Sequence, residues 1–403
     1  LSLPSEFIMI AVTLLFFCRI LYDWTLDRRL VTHPVSIAIY VYLLWMFITC
    51  LTSEQSVISF KFLSSKIWFI TLCYFIVLQL IKDNLKNAKT FFNCYTVGLC
   101  IVVIYTTIRH AIRGFSEFSG HWVMSPFYND HTAYGAVLAF FIPIVIGFLF
   151  TTESKKSKWF YIISALILLV GLYLSNCRAA WLSMMVVLFV WVVMKLKIKF
   201  SWLVVAALVF GSLFYFYADD ILYQMGRNDQ DASGNLTEQI QSMTNISTDA
   251  SNVERLNRWS SALAMIKERP IVGWGPGTYQ FQYAPFQKSK YQTIISTNLG
   301  DGGNAHSEYL GPCAETGIVG MLTVLALLVA SLYMGIKTYA AAKDKNLKHW
   351  TIAMTLALVS YFVHGIMNNF LDTDKLSLPF WAAFAVIVVL SLSCKAENNY
   401  SKE

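Results

Sequence analysis

The chain has 403 residues, 56% of them hydrophobic and only 14% charged. A soluble domain carries about 25% charged residues, so a water-facing surface for the whole chain is excluded. The formal net charge is +7, but Lys and Arg sit in short clusters between apolar blocks, a placement that argues against nucleic acid and for membrane topology.

A helix crosses a bilayer with roughly 20 mostly apolar residues. By window length and charge gaps, about eleven such segments follow one another, near 4–22, 34–52, 66–81, 90–112, 131–151, 158–175, 177–195, 199–217, 317–339, 349–369 and 376–394. The blocks Thr132 to Leu149, Trp159 to Leu174 and Ala179 to Met194 contain no charged residue. The fold class is therefore an all-α polytopic membrane protein with one large outer loop.

Charge bias sets the orientation. One alternate set of connections holds Arg28 and Arg29, Lys82, Lys86 and Lys89, Lys155, Lys156 and Lys158, Lys195, Lys197 and Lys199, then Lys337, Lys343, Lys345 and Lys348. The other short connections hold fewer: Lys61 and Lys66, Arg109 and Arg113, Arg178, and Lys375. Cytoplasmic loops carry the excess of Lys and Arg, so the first set is inside. The chain then divides into helices over 1–217, a periplasmic loop over 218–316, further helices over 317–394 and a cytoplasmic tail over 395–403. It opens with Leu1, not Met. Because this orientation leaves the first residue outside and the tail inside, a twelfth helix before Leu1 is expected in the natural protein.

Gly226 to Ser251 opens the outer loop with the composition of a linker. From Asn252 to Glu268, Val253, Leu256, Trp259, Leu263 and Ile266 recur at three- and four-residue steps. This spacing predicts an amphipathic helix along the membrane surface or the bundle top. Pro270 ends it, and Gly273, Gly275 and Gly277 follow in a turn-rich run. The eight cysteines, Cys18, Cys50, Cys73, Cys94, Cys100, Cys177, Cys313 and Cys394, show no metal-ligand spacing and read mostly as small buried hydrophobes. Asp372-Thr373-Asp374 matches a metal-binding spelling only through the shortness of that pattern, and neither a metal nor a cofactor is expected.

Three groups carry chemistry. His306, in His306-Ser307-Glu308-Tyr309, stands at the mouth of the 317–339 span, where an imidazole serves as general base or as a donor to phosphate. A satisfied interfacial histidine is the alternative. Gly302-Gly303-Asn304 just before it supplies backbone N–H groups suited to an anion nest, or is plain loop. Arg178 sits at the outer end of a tight hairpin between two spans. A charge at that depth is costly unless it pairs, faces water or snorkels. Arg255 and Arg258, three residues apart on the amphipathic helix, present forks that match phosphate oxygens or form a solvated face with Glu254. Three arginines and a histidine on one surface point to a pyrophosphate site.

At this point the residues resemble the O-antigen ligase and polymerase superfamily. His306-Ser307, nine residues, Gly317, two residues, Gly320 looks like its signature. The stretch from Glu254 through Arg255, Trp259, Pro270, Gly273, Gly275 and Gly277 is similar to the segment before it. Asn176-Cys177-Arg178-Ala179-Ala180 resembles its shorter upstream motif, with Cys177 where Ser is more usual. The resemblance implies about twelve spans and a donor glycan carried on undecaprenyl diphosphate in the bacterial cytoplasmic membrane, with the site facing the periplasm. By motif, Arg178 and Arg255 would bind the diphosphate with Arg258 as an alternate, and His306 would activate the acceptor hydroxyl. Asn304, Ser307, Gly317 and Gly320 would support them. Lipid A–core is the expected acceptor, ahead of a second lipid-linked glycan or a protein hydroxyl. A transporter is the competing class, with His364, Gly365, Asn368 and Asn369 as its best feature.

Overall fold

The computed structural model describes residues 5–23, 27–196, 198, 201, 205, 209, 250–289 and 303–400. The predicted span at 199–217, the polar stretch up to 249 and Gly302 lie outside the described residues. The longer helices are α1 (Ser5–Asp23), α2 (Pro34–Leu51), α3 (Ser56–Ile81), α4 (Leu85–Ala111), α5 (His131–Phe150) and α6 (Lys155–Leu174). They continue with α7 (Arg178–Lys195), α8 (Ala250–Glu268), α9 (Leu310–Ala341), α10 (Lys345–His364) and α11 (Asp374–Tyr400). No strand occurs among the described residues. Eight of these helices, α2 to α7 with α9 and α11, are long and apolar enough to cross a membrane.

A helix that is apolar all round belongs inside a bundle. In the most apolar windows of α5 and α11, 78% and 83% of residues are buried, against 28–39% for the other six spans. These two helices form the centre. Helix α10 is less apolar but equally enclosed, with Trp350 to Tyr361 buried without interruption. It hides its hydroxyls by back-bonding: Thr351 Oγ1 donates to Leu347 O and Thr355 Oγ1 to Thr351 O, both at 2.7 Å. Gly147 of α5 meets Ala353 and Gly335 of α9 meets Thr355, so small residues bring the backbones close.

One predicted boundary is corrected. The segment expected at 66–81, with Lys61 and Lys66 in a preceding loop, is a single helix from Ser56 to Ile81 with a π-helical turn at Thr71–Ile76. Lys66 is buried inside it. Its Nζ donates to Asp372 Oδ1 at 2.7 Å and to Leu371 O at 3.1 Å. A paired lysine can sit in a helix wall where an isolated one could not.

All the hairpin tips that matter for chemistry gather at one end: 51–56, 111–131, 174–178 and 364–374. Arg28, Arg29, Lys82, Lys86, Lys89, Lys155, Lys156, Lys158 and Lys345 stand at the other end. There Lys89 reaches Thr151 and the His33 ring bonds Ser391 Oγ at 2.8 Å.

Candidate functional site

Helix α8 lies across the chemistry-bearing end. Its bounds match the predicted amphipathic helix, but the packed face differs. Glu254, Asn257, Arg258, Ser261, Ala262 and Met265 are buried, while Leu263 of the expected apolar stripe is 57% exposed. The polar face packs inward because Glu254 and Arg258 satisfy each other there: Arg258 Nε meets Glu254 Oε1 at 2.6 Å, with the side chains 6% and 7% exposed. The Arg258 guanidinium also stacks 4.3 Å over the Tyr283 ring and packs on Gly303, where a Cβ would occupy the same space. Tyr279 Oη donates to Arg258 O at 2.8 Å. Arg258 thereby fastens the 303–308 segment to α8.

The glycine run after Pro270 docks on a break in α9. At Gly317 the backbone turns to φ 74°, ψ −179°. A Cβ there would collide with the Ile271 carbonyl, and one at Gly273 (φ 64°) would collide with the Glu315 backbone. Only glycine tolerates both the conformation and the approach. Three backbone bonds close the joint: Ile318 N to Pro270 O at 2.8 Å, Trp274 N to Ala314 O at 3.1 Å and Gly275 N to Glu315 O at 2.7 Å. Glu315 Oε1 accepts from Tyr279 N at 3.0 Å. Gly320 lies one turn further, beneath Thr316, whose carbonyl accepts from Trp45 Nε1 at 2.8 Å.

This joint presents the histidine. His306 adopts φ 48°, a left-handed conformation uncommon for a residue with a side chain. Two neighbours hold it. Asn304 Oδ1 accepts from His306 N at 3.0 Å, and Ser307 Oγ accepts from Tyr309 N and Leu310 N, both at 3.3 Å, opening α9. Glu308 ties the segment to the α10–α11 connection: its N donates to Gly365 O at 2.8 Å, and its Oε1 accepts from Phe370 N at 2.9 Å, Leu371 N at 3.0 Å and Tyr361 Oη.

Burial, reinforced by the charges of Arg255 and Arg258, pushes the His306 imidazole down to about 4. It is neutral at pH 7. Arg178 is the first residue of α7, after Asn176 in a second left-handed conformation (φ 49°). Arg178 and Arg255 both lie within charge–charge reach of His131, and Arg255 acts also on His306, Cys177 and His364. Asp130 reaches the same four groups while capping α5 through Thr132 N at 2.7 Å and Ala133 N at 2.8 Å. Arg178 and Arg255 thus share His131 as an electrostatic neighbour, and Arg255 joins His306 to the same loose cluster. Arg258 stands at its edge, held in the pair with Glu254.

The motifs in the sequence did not bring Asp130, His131 or His364 to this cluster. His364 stood in the sequence as part of the transporter-like feature with Gly365, Asn368 and Asn369. His131 Nδ1 lies 3.2 Å from Nδ1 of His121, ten residues away on the α4–α5 connection.

Residues 163–325 match the model of the family described as O-antigen ligase. An uncharacterized protein of Haemophilus influenzae (strain Rd) is 25% identical over 138 residues, 34% of this chain and 33% of that protein. The comparison therefore spans about a third of that relative's length. The family segment contains Arg178, Arg255, Arg258, His306, Gly317 and Gly320, together with the joint that positions them. Over residues 163–325, about two fifths of its length, the chain is thus similar to the O-antigen ligase family.

Proposed function

We propose that this protein transfers a glycan from a polyprenyl diphosphate to an acceptor hydroxyl, with its site on the periplasmic side of the bacterial cytoplasmic membrane. The observation that carries the reading is the clustering of Arg178 and Arg255 with an uncharged imidazole at one end of the bundle. Fixed guanidinium groups in a partly dry site stabilise the charge that develops on a departing diphosphate. The leaving group then needs no proton. The acceptor oxygen attacks the anomeric carbon, the bond from that carbon to the diphosphate oxygen breaks, and the hydroxyl proton passes to a base. His306, neutral at pH 7, is that base in this reading. Arg178 and Arg255 grip the diphosphate, and Arg258 adds its charge while holding the 303–308 segment in place. No metal or cofactor takes part, because the sugar arrives activated and the arginines supply the positive field.

Ligation to lipid A–core is the leading acceptor assignment. A polymerase would use a second lipid-linked glycan, and a protein transferase a Ser or Thr side chain. Transport is disfavoured, since His364 is the last residue of α10 and stands at the site end of the bundle, not at mid-depth.

The test uses purified protein with undecaprenyl-diphosphate-linked glycan, offered in turn core lipid, a second lipid-linked glycan or a Ser/Thr peptide, with product followed by gel and mass. Arg178→Ala and Arg255→Ala should each lower transfer by roughly 10²–10³-fold, as loss of a charge-stabilising donor does elsewhere, and chelator should have little effect. Wild-type transfer by either variant removes the diphosphate role, and strict dependence on a divalent ion removes the mechanism.

A further inference from the structure

Behind the His306 segment lies a cavity of about 390 Å³, within the roughly 300–1,000 Å³ of small-ligand pockets. Residues Gly303, Asn304, Ala305 and Glu308 form one wall. His306, between them, does not line the cavity, while Gly303 has the Arg258 guanidinium packed on it. The segment is therefore a partition, with the cationic cluster on one side and the cavity on the other.

The two sides have opposite character. Facing the cavity are Glu308, Glu315 and Asp372, with Lys66 committed to Asp372 at 2.7 Å. Burial and the nearby Asp372 raise the Glu308 carboxyl above its ordinary range, which marks the space as hostile to added negative charge. Four aromatic rings, Tyr42, Trp45, Phe62 and Tyr279, supply flat apolar surface. Asn369 contributes a buried Oδ1 with no hydrogen-bond partner among the described residues, an acceptor of the kind that is costly to leave unmet. Carboxylates and amide oxygens accept from hydroxyls, and aromatic faces cover apolar ring faces. Together they match a polyhydroxylated ring. Phosphate does not fit, because it brings negative charge and only acceptor oxygens against these carboxylates.

We propose that this cavity is a saccharide subsite taking a sugar unit without phosphate or carboxylate, neutral or amino-bearing, a step that rests on the transferase reading above. The sugar could belong to the donor glycan or to the acceptor, and the shared chemistry is the same. The partition then sorts the substrate. Phosphorylated parts are held on the arginine side and sugar on the carboxylate side, with His306 at the boundary where the bond is made.

The full-length protein in detergent is titrated with maltotriose, with a glucosamine trisaccharide and with trigalacturonate by saturation-transfer NMR, and with inorganic pyrophosphate by calorimetry. Maltotriose or the glucosamine trisaccharide should bind at least about tenfold more tightly than trigalacturonate. Asn369→Ala and Gln280→Trp, the latter filling the cavity from another lining position, should each weaken sugar binding about tenfold, the size of one lost buried hydrogen bond. Both should leave pyrophosphate binding unchanged and keep the wild-type melting temperature. Displacement of bound sugar by a short-chain polyprenyl-diphosphate sugar assigns the cavity to the donor, and retention assigns it to the acceptor. Absence of binding by both uncharged and amino sugars, equal binding of trigalacturonate, or well-folded variants with unaltered sugar affinity overturns the proposal. Sugar binding without pyrophosphate binding keeps the cavity assignment and removes the diphosphate reading instead.

Discussion

His306 owes its charge state to its neighbours. With the imidazole pushed down to about 4 by burial and by Arg255 and Arg258, the base form is present above that pH and is lost as pH falls through it. A bound diphosphate would offset both arginines and let the ring rise toward its ordinary value. The acid limb of kcat/KM, which reports the free enzyme, should therefore fall near pH 4, while the limb of kcat should lie at higher pH. Parallel rate profiles in mixed buffers check this, and coincident limbs would deny the coupling between donor and histidine. His306→Ala should lower transfer by roughly 10²–10⁴-fold, the usual range for a lost general base, with pyrophosphate binding retained. At this scale Arg178, Arg255 and His306 were singled out because each stands in a short local motif. Lys66 was not. Its partner Asp372 is 306 positions away, so its burial in α3 looked like a loop charge until the α10–α11 connection was seen to meet that helix.

Helix α8 shows why an amphipathic pattern identifies an element better than its orientation. The spacing of Val253, Leu256, Trp259, Leu263 and Ile266 was legible, yet the inward side is the one holding Glu254 and Arg258. Periodicity counts apolar residues; it does not see that an ion pair with 2.6 Å geometry can be buried or that an apolar face can remain uncovered beside a membrane. Breaking such a pair strands a buried charge at about 3–5 kcal/mol, whereas replacing both partners by apolar residues is often near neutral. Glu254→Leu should thus lower the melting temperature in detergent sharply, and Glu254→Leu with Arg258→Leu should recover most of the loss. Transfer by the recovered double variant would show that Arg258 is needed for the joint and not for the diphosphate. A double variant as unstable as the single one would mean that the pair is not the main tie. The glycines of the joint were read as a turn-rich run. Their actual task, seating the 270–279 stretch against the break at Gly317, needed the coordinates of α9.

Across the whole molecule, most spanning helices were legible from apolar length alone. Helix α10 shows the other route into a bundle, since its enclosed positions carry Thr351, Thr355 and Ser360, and the Thr351 and Thr355 hydroxyls bond back to carbonyls of their own helix. The basic clusters at the end opposite the site predict an orientation in the membrane. Alkaline phosphatase fused after Lys288 should be active, and fused after Glu153 inactive; the reverse pattern would turn the site toward the cytoplasm and exclude the proposed donor.

Leu263, Ile271 and Phe281 are left 57%, 64% and 46% exposed on α8 and the stretch behind it. Uncovered apolar groups of this kind rest in the acyl boundary of a leaflet, which would sink the arginine cluster to headgroup depth. An isoprenoid tail could then stay dissolved in the bilayer throughout catalysis, and the enzyme would meet its donor by lateral diffusion in two dimensions without extracting it.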